Sequence, residues 1–182
     1  MSTPALILVR HGRPLIDPDK PPTTWLLCPD GRDAVAKLAT KIAPYAPTAI
    51  ASSPEPKAAE TAEILAVALG LRVELDEGLH EHKRPALAFG TEEAFRARIA
   101  QVFAEPAKPV AGGESVEQAC DRLARAIAEH PARPLVAVTH GTVLSHYVAR
   151  SLGLDAHDLW RSLHTPDAFV LGADGALITR LN

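Results

Sequence analysis

Cysteine is scarce in this chain of 182 residues: Cys28 and Cys120 are the only two. They are too few and too far apart for a disulfide framework or a zinc knuckle. Long apolar runs are missing too, since none reaches the roughly 20 residues that cross a bilayer. The N-terminus passes directly into an apolar, strand-like stretch, so no signal peptide is expected, and the expected location is cytoplasmic. Charge of one sign is not in excess. Nineteen Lys and Arg stand against 22 Asp and Glu, a net charge of -3, which leaves no polyanion-binding signature and no nucleic-acid partner to expect. No Gly-x-Gly-x-x-Gly follows the first apolar run, which removes the dinucleotide-binding reading. No repeat and no linker interrupts the chain, so residues 1-182 are expected to form a single domain. With 47% hydrophobic and 23% charged residues, its composition is that of a globular protein long enough to bury a substantial core.

What is present centres on Ala5-Leu6-Ile7-Leu8-Val9-Arg10-His11-Gly12. An unbroken apolar run of this length reads as a strand buried on both faces, as parallel strands are. It ends in a cation, an imidazole and a glycine, at the strand end that faces the ligand crevice in an open α/β sheet. Gly12 is expected to permit a sharp turn and bring its amide close to the ligand. Alone, the Arg-His-Gly triplet would be unremarkable. A second run, Pro134-Leu135-Val136-Ala137-Val138-Thr139-His140-Gly141, breaks in the same way and enters an apolar, helix-like segment. Two such elbows would bring two imidazoles into one crevice, with Arg10 holding an anion beside His11.

Between the elbows, the proline-rich stretch from Arg13 to Pro29 reads as a loop. Asp30 to Ala43 is an amphipathic helix with Val35, Leu38 and Ile42 inward. Thr48 to Ala51 is a short strand. It leads to Ser53 as an N-cap and Pro54 as a first helical residue, in a helix that buries Ala58, Ala62, Leu65 and Leu69 and stops at Gly70. Leu71 to Leu75 is a third strand, followed by an ionisable cluster from Asp76 to Arg84. Thr91 to Ala104 is a helix expected to bury Phe95, Ile99, Val102 and Phe103. Ser115-Val116-Glu117-Gln118 is a capping box that opens a further helix with Val116, Cys120, Leu123 and Ile127 inward. Beyond the second elbow, a helix ends near Gly153 and a short one covers Ala156 to Leu163. A closing hairpin joins Ala168-Leu171 to Ala176-Leu181 across Asp174-Gly175. Strands alternating with helices predict an α/β fold: a three-layer α/β/α sandwich whose mostly parallel sheet carries an antiparallel strand near the C-terminus.

Four blocks in this order resemble the histidine phosphatase superfamily, which includes cofactor-dependent phosphoglycerate mutase. They are Leu8-Val9-Arg10-His11-Gly12, Ser52-Ser53-Pro54 through Thr61-Ala62, Gly113-Glu114-Ser115 with Arg122, and Val138-Thr139-His140-Gly141. The resemblance implies a phosphomonoester hydrolase that forms a phosphohistidine on His11, which water then hydrolyses, without metal or other cofactor. Phosphoryl transfer needs an in-line nucleophile, cations around the equatorial oxygens and a proton for the leaving alkoxide. Neutral imidazole is nucleophilic near pH 7, and neighbouring cations disfavour its protonated form. Arg10 supplies a planar fork for phosphate oxygens, and His140 a further donor. By resemblance, Leu79-His80-Glu81 aligns with the segment bearing the proton-donating glutamate. Glu81 is therefore the expected acid, with Asp76, Glu77, His80 and His82 as competitors and a plain solvated loop as the alternative.

Three positions depart from the family pattern. Lys57 stands where an arginine is usual and loses the bidentate fork. Asp17 replaces an asparagine and would repel phosphate unless a cation such as Lys57 neutralised it. Cys28, a poor donor, replaces Ser or Thr. The expected phosphate ligands are Arg10, Lys57 and Gly141, with Asp17 and Cys28 as further pocket candidates. Trp25, Phe89 and Trp160 are candidates for the mouth, and His164 for the rim. Two alternatives stay open beside the hydrolase: a mutase-type phosphotransferase and a low-activity phosphoester-binding homologue. The substrate is expected to be a small phosphomonoester, with a phosphoprotein also open, because specificity resides in loops. The oligomeric state is open as well.

Overall fold

A computed structural model describes residues 3-84 and 91-182. The elements in chain order are β1 (Pro4–Arg10), α1 (Pro29–Ile42), β2 (Ala49–Ser52), α2 (Pro56–Leu69), β3 (Val73–Leu75), α3 (Glu92–Ala104), α4 (Val116–Glu129), β4 (Leu135–Thr139), α5 (Gly141–Leu152), α6 (Ala156–Ser162), β5 (Asp167–Gly172) and β6 (Leu177–Leu181). Short 3-10 turns cover Pro22–Thr24, Ala43–Tyr45 and Glu77–Leu79. Phe89 lies outside the described residues.

The sheet runs β3-β2-β4-β1-β5-β6. Its β1, β2, β3 and β4 pair in parallel, while β5 is antiparallel to both β1 and β6. Alternation along β1 sorts the two faces, because successive strand residues point to opposite sides. Leu6 and Leu8 join a core with Leu123 and Ile127 of α4, Val143, Leu144 and Val148 of α5, and Leu159 of α6. Ile7 and Val9 join a second core with Val35, Leu38 and Ile42 of α1 and Ala58, Ala62 and Leu65 of α2. The sheet is therefore covered on both sides, as the sequence predicts.

Strand order brings the elbows together. The chain leaves β1, builds β2 two places and β3 three places away, and returns to lay β4 between β1 and β2. Arg10 then pairs with Thr139 in register, and the His11 amide donates to the Thr139 carbonyl at 3.1 Å. Two histidines 129 positions apart by number thus become neighbours at adjacent strand ends.

Local expectations differ from the structure in a few places. Ser53-Pro54 does not open α2. The N-cap is Glu55, followed by Pro56 at N1, while Ser53 Oγ accepts from the Glu55 amide at 3.2 Å. This side-chain turn competes with helix entry and delays it to the second proline. Strand β3 begins two residues later than expected, because the helix end consumes the intervening backbone. Gly70 takes the left-handed conformation at φ 69, and the Leu71 amide returns to the Ala66 carbonyl. Of the four apolar residues expected inside α3, Ile99 alone is fully buried, whereas Phe95, Val102 and Phe103 are half-buried. The capping box at Ser115 and Gln118 forms as predicted.

Candidate active site

The carboxyl ends of β1, β2, β3 and β4 open into one cavity of about 460 Å³. Arg10, His11, Lys57, Glu81, His140 and Gly141, all expected from the sequence, line it, and so does Glu55. The rings of His11 and His140 lie 5.2 Å apart, edge to face.

Each imidazole is held differently. His11 Nδ1 lies 2.7 Å from the Gly12 carbonyl. Only a protonated Nδ1 can satisfy that acceptor, so the neutral ring keeps its lone pair on Nε2. Burial pushes the His11 pKa well below the usual histidine range, and His140, Lys57 and Arg10 push in the same direction. His140 Nε2 contacts Ser53 Oγ at 2.8 Å and Glu55 Oε1 at 3.4 Å. Burial foremost, then Lys57, His80 and other cations, also lowers the His140 pKa well below the ordinary value. Its Nδ1 is buried without a partner among the described residues.

Arg10 donates through Nη1 to the carbonyls of Leu163 and His164, at 3.3 and 3.2 Å. Its Nε is buried with no partner among the described residues, a donor positioned for an incoming anion. His164 therefore contributes at the rim through its backbone. A Cβ on Gly141 would fall 3.2 Å from Arg10 Nε and 3.3 Å from Trp160 Nε1, so this glycine lets both side chains approach the start of α5.

The loop after β3 is anchored rather than solvated. Arg122 pairs with Glu114 at 2.6 Å and donates to the carbonyls of Gly78, His80 and Glu81. Thr139 Oγ1 donates to the Leu79 carbonyl at 2.7 Å. The Glu81 carboxylate accepts from the backbone amides of His82, Thr142 and Val143, at 2.8, 3.1 and 3.2 Å. Two of those amides belong to the first turn of α5, where orphan N–H groups and the helix dipole favour an anion. Burial alone would raise the Glu81 pKa. Arg84 and the His82 and Thr142 amides outweigh it, and the net direction is down. Among the competitors, His80 bridges Glu77 and Glu55, His82 is fixed to the Glu114 carbonyl, and Asp76 caps the turn at Gly78.

Lys57 does not pair with Asp17. Its ammonium meets Glu55 at 2.5 Å and the Pro22 carbonyl at 2.9 Å. Asp17 instead pairs with exposed Lys20 at 2.9 Å and does not line the cavity. Cys28 does not line it either; its Sγ accepts from the Gly31 amide at 3.3 Å and caps α1. The Gly12 amide is also unavailable to a ligand, because it donates to Thr61 Oγ1 at 3.0 Å. Glycine is needed there for packing: a Cβ would lie 2.7 Å from Val35 Cγ2. Glu55 was missed by the sequence reading. A carboxylate inside a strand-to-helix block is locally ordinary, and its only sequence signal is its place two residues before Lys57.

Residues 6–171 match the model of the histidine phosphatase superfamily, branch 1. The chain belongs to this superfamily. No curated protein sequence matches it significantly. Among solved structures, a mycobacterial glucosyl-3-phosphoglycerate phosphatase is 22% identical, with 98% of this chain and 96% of that chain covered at a TM-score of 0.69. A phosphoserine phosphatase from Entamoeba histolytica, in complex with 3-phosphoglyceric acid, is 20% identical, with 97% and 96% covered at a TM-score of 0.72. At these identities the likeness to both structures is one of fold, the histidine phosphatase fold.

Proposed function

We propose that this histidine phosphatase superfamily member hydrolyses phosphomonoesters through a phosphohistidine on His11. The observation that carries the reading is the Nδ1 contact to the Gly12 carbonyl, which leaves Nε2 as a free lone pair in a cavity shared with Arg10 and His140. In the first step His11 Nε2 attacks phosphorus, the bond from phosphorus to the ester oxygen breaks, and the alkoxide takes a proton. Arg10 Nε and His140 stabilise the negative charge on the equatorial oxygens. In the second step water attacks phosphorus, the phosphorus–nitrogen bond breaks, and inorganic phosphate leaves.

Glu81 is the proposed proton donor in the first step and acceptor in the second. Its carboxyl is held ionised in the free site. An arriving phosphate dianion raises a neighbouring carboxyl's pKa by like-charge repulsion, so substrate and proton enter together. Lys57 is the proposed further phosphate ligand. Because two of its donors are occupied by Glu55 and Pro22, a second reading also has support: a phosphoester-binding homologue with slow turnover.

The deciding experiment is turnover of an aryl phosphate, together with a rapid acid or base quench of protein labelled with radioactive phosphate. A base-stable, acid-labile label that disappears with His11→Ala, along with turnover, is the expected result. Tight phosphate binding without label or turnover would establish the binding homologue instead. Transfer of the label to water rather than to a phosphoglycerate separates hydrolase from mutase.

A further inference from the structure

The cavity is lined by two unlike sets of side chains. One is the set of ionisable groups already described. The other is apolar or aromatic: Ile16, Pro21, Trp25, Phe95, Val102 and Trp160. These side chains come from three places in the chain: the proline-rich loop, α3 and α6. Phe95 and Trp160 pack with ring centroids 6.2 Å apart. Ile16 is 52% exposed, although a chain of this composition has a core in which to bury it. The half-burial of Phe95 and Val102 has the same origin, because the helix face expected to enter a core faces the cavity instead.

Resting on the phosphatase reading, we propose that the substrate is the phosphomonoester of an apolar alcohol, aryl or long-chain alkyl, whose hydrocarbon part lies against these apolar side chains. Binding sites orient a ligand with a few polar groups and take most of its surface on apolar walls. Here Arg10, His11 and His140 serve the phosphoryl group, and the apolar side chains offer the remaining ester its surface. The competitor is a small ester with a second anionic group. Lys83, Arg84 and Arg98 line the same cavity, and Arg84 Nη1 is buried with no partner among the described residues. Arg84 is nevertheless placed over the Phe95 ring at 5.8 Å, and its charge acts on Glu81.

The test is kcat/KM for ethyl, butyl and hexyl phosphate and for 1-naphthyl phosphate, compared with phosphoserine and 3-phosphoglycerate. Each added methylene is expected to raise kcat/KM about threefold, mainly through KM. The hexyl and naphthyl esters should exceed both carboxylated ones. Ile16→Ser and Phe95→Ala should each flatten the series, and Ile16→Ser, at an exposed position, does so without threatening the fold. A flat series in the parent protein, or phosphoserine or 3-phosphoglycerate ahead of the hexyl ester, overturns the proposal. Absence of turnover for every ester defeats the phosphatase reading instead. Calorimetric binding of the same esters then decides the apolar wall, with a naphthyl ester that binds no tighter than inorganic phosphate counting against it.

Discussion

The two His-Gly elbows are nearly identical in sequence and unlike in construction. At the first, the imidazole is fixed by the carbonyl of the next residue, and the glycine is wedged against Val35 and the Gly31 carbonyl. At the second, the imidazole is fixed by Ser53 and Glu55 from the end of another strand, and the glycine gives room to Arg10 and Trp160. One elbow is closed by its own backbone; the other is assembled from distant parts. The first can therefore present a defined nucleophile whatever surrounds it. The second depends on the charges around it and can be tuned by them.

The largest expected effect separates the two glycines. Gly12→Ala drives a methyl into Val35 and should cost about 2–3 kcal/mol of stability in denaturant unfolding, in the range of overpacked cores. Gly141→Ala meets side chains that can move, and should cost less than about 1 kcal/mol. It should instead weaken phosphate affinity by displacing Arg10. Equal stability losses would break the distinction between the elbows.

Protonation tests the pair together. Both histidines have folded-state pKa values held well below the ordinary 6.5, so the unfolded chain takes up protons that the folded one refuses. Their contribution is fully present above about pH 6.5 and is lost as pH falls from there toward the folded-state values. Each histidine adds up to about 1.4 kcal/mol of lost stability per pH unit in that window. Unfolding free energy measured from pH 7 to 5 should therefore fall less steeply in His11→Asn, and less steeply in His140→Asn. A wild-type slope in either variant would show that the ring it lacks is not held neutral.

Glu55 sharpens the comparison, because it contacts His140 and Lys57 at the second elbow. Glu55→Gln makes the phosphoryl end more cationic and should tighten inorganic phosphate about tenfold, roughly 1.4 kcal/mol. It should also lower thermal stability, since Lys57 loses its buried counter-charge. Unchanged phosphate inhibition would remove Glu55 from any influence on the second elbow.

Much of the fold could be read locally. The apolar runs of β1 and β4, the capping box at Ser115 and the left-handed glycine closing α2 are all patterns within a few residues. Structure departed from expectation where a side chain found a different partner from the one expected, near or far along the chain. Lys57 is one cation that could have neutralised Asp17 and meets Glu55 and the Pro22 carbonyl instead. Cys28 was expected near phosphate and caps a helix. Phe95 and Val102 are assigned to a core by helical spacing, a pattern that cannot tell a core from a cavity wall, and Phe103 packs instead on the His157 ring.

By itself, then, the sequence determined which strands end in histidine, which helices follow them, and that a cation stands beside the first of the two histidines. Periodicity and capping depend on neighbours along the chain, so those features needed no coordinates. Tertiary structure alone decided that β4 lies beside β1, that a buried glutamate faces the second imidazole, and that one cavity is lined by both ionisable and apolar side chains. Those outcomes depend on burial and on charges brought close by the fold, quantities that no spacing along the chain encodes.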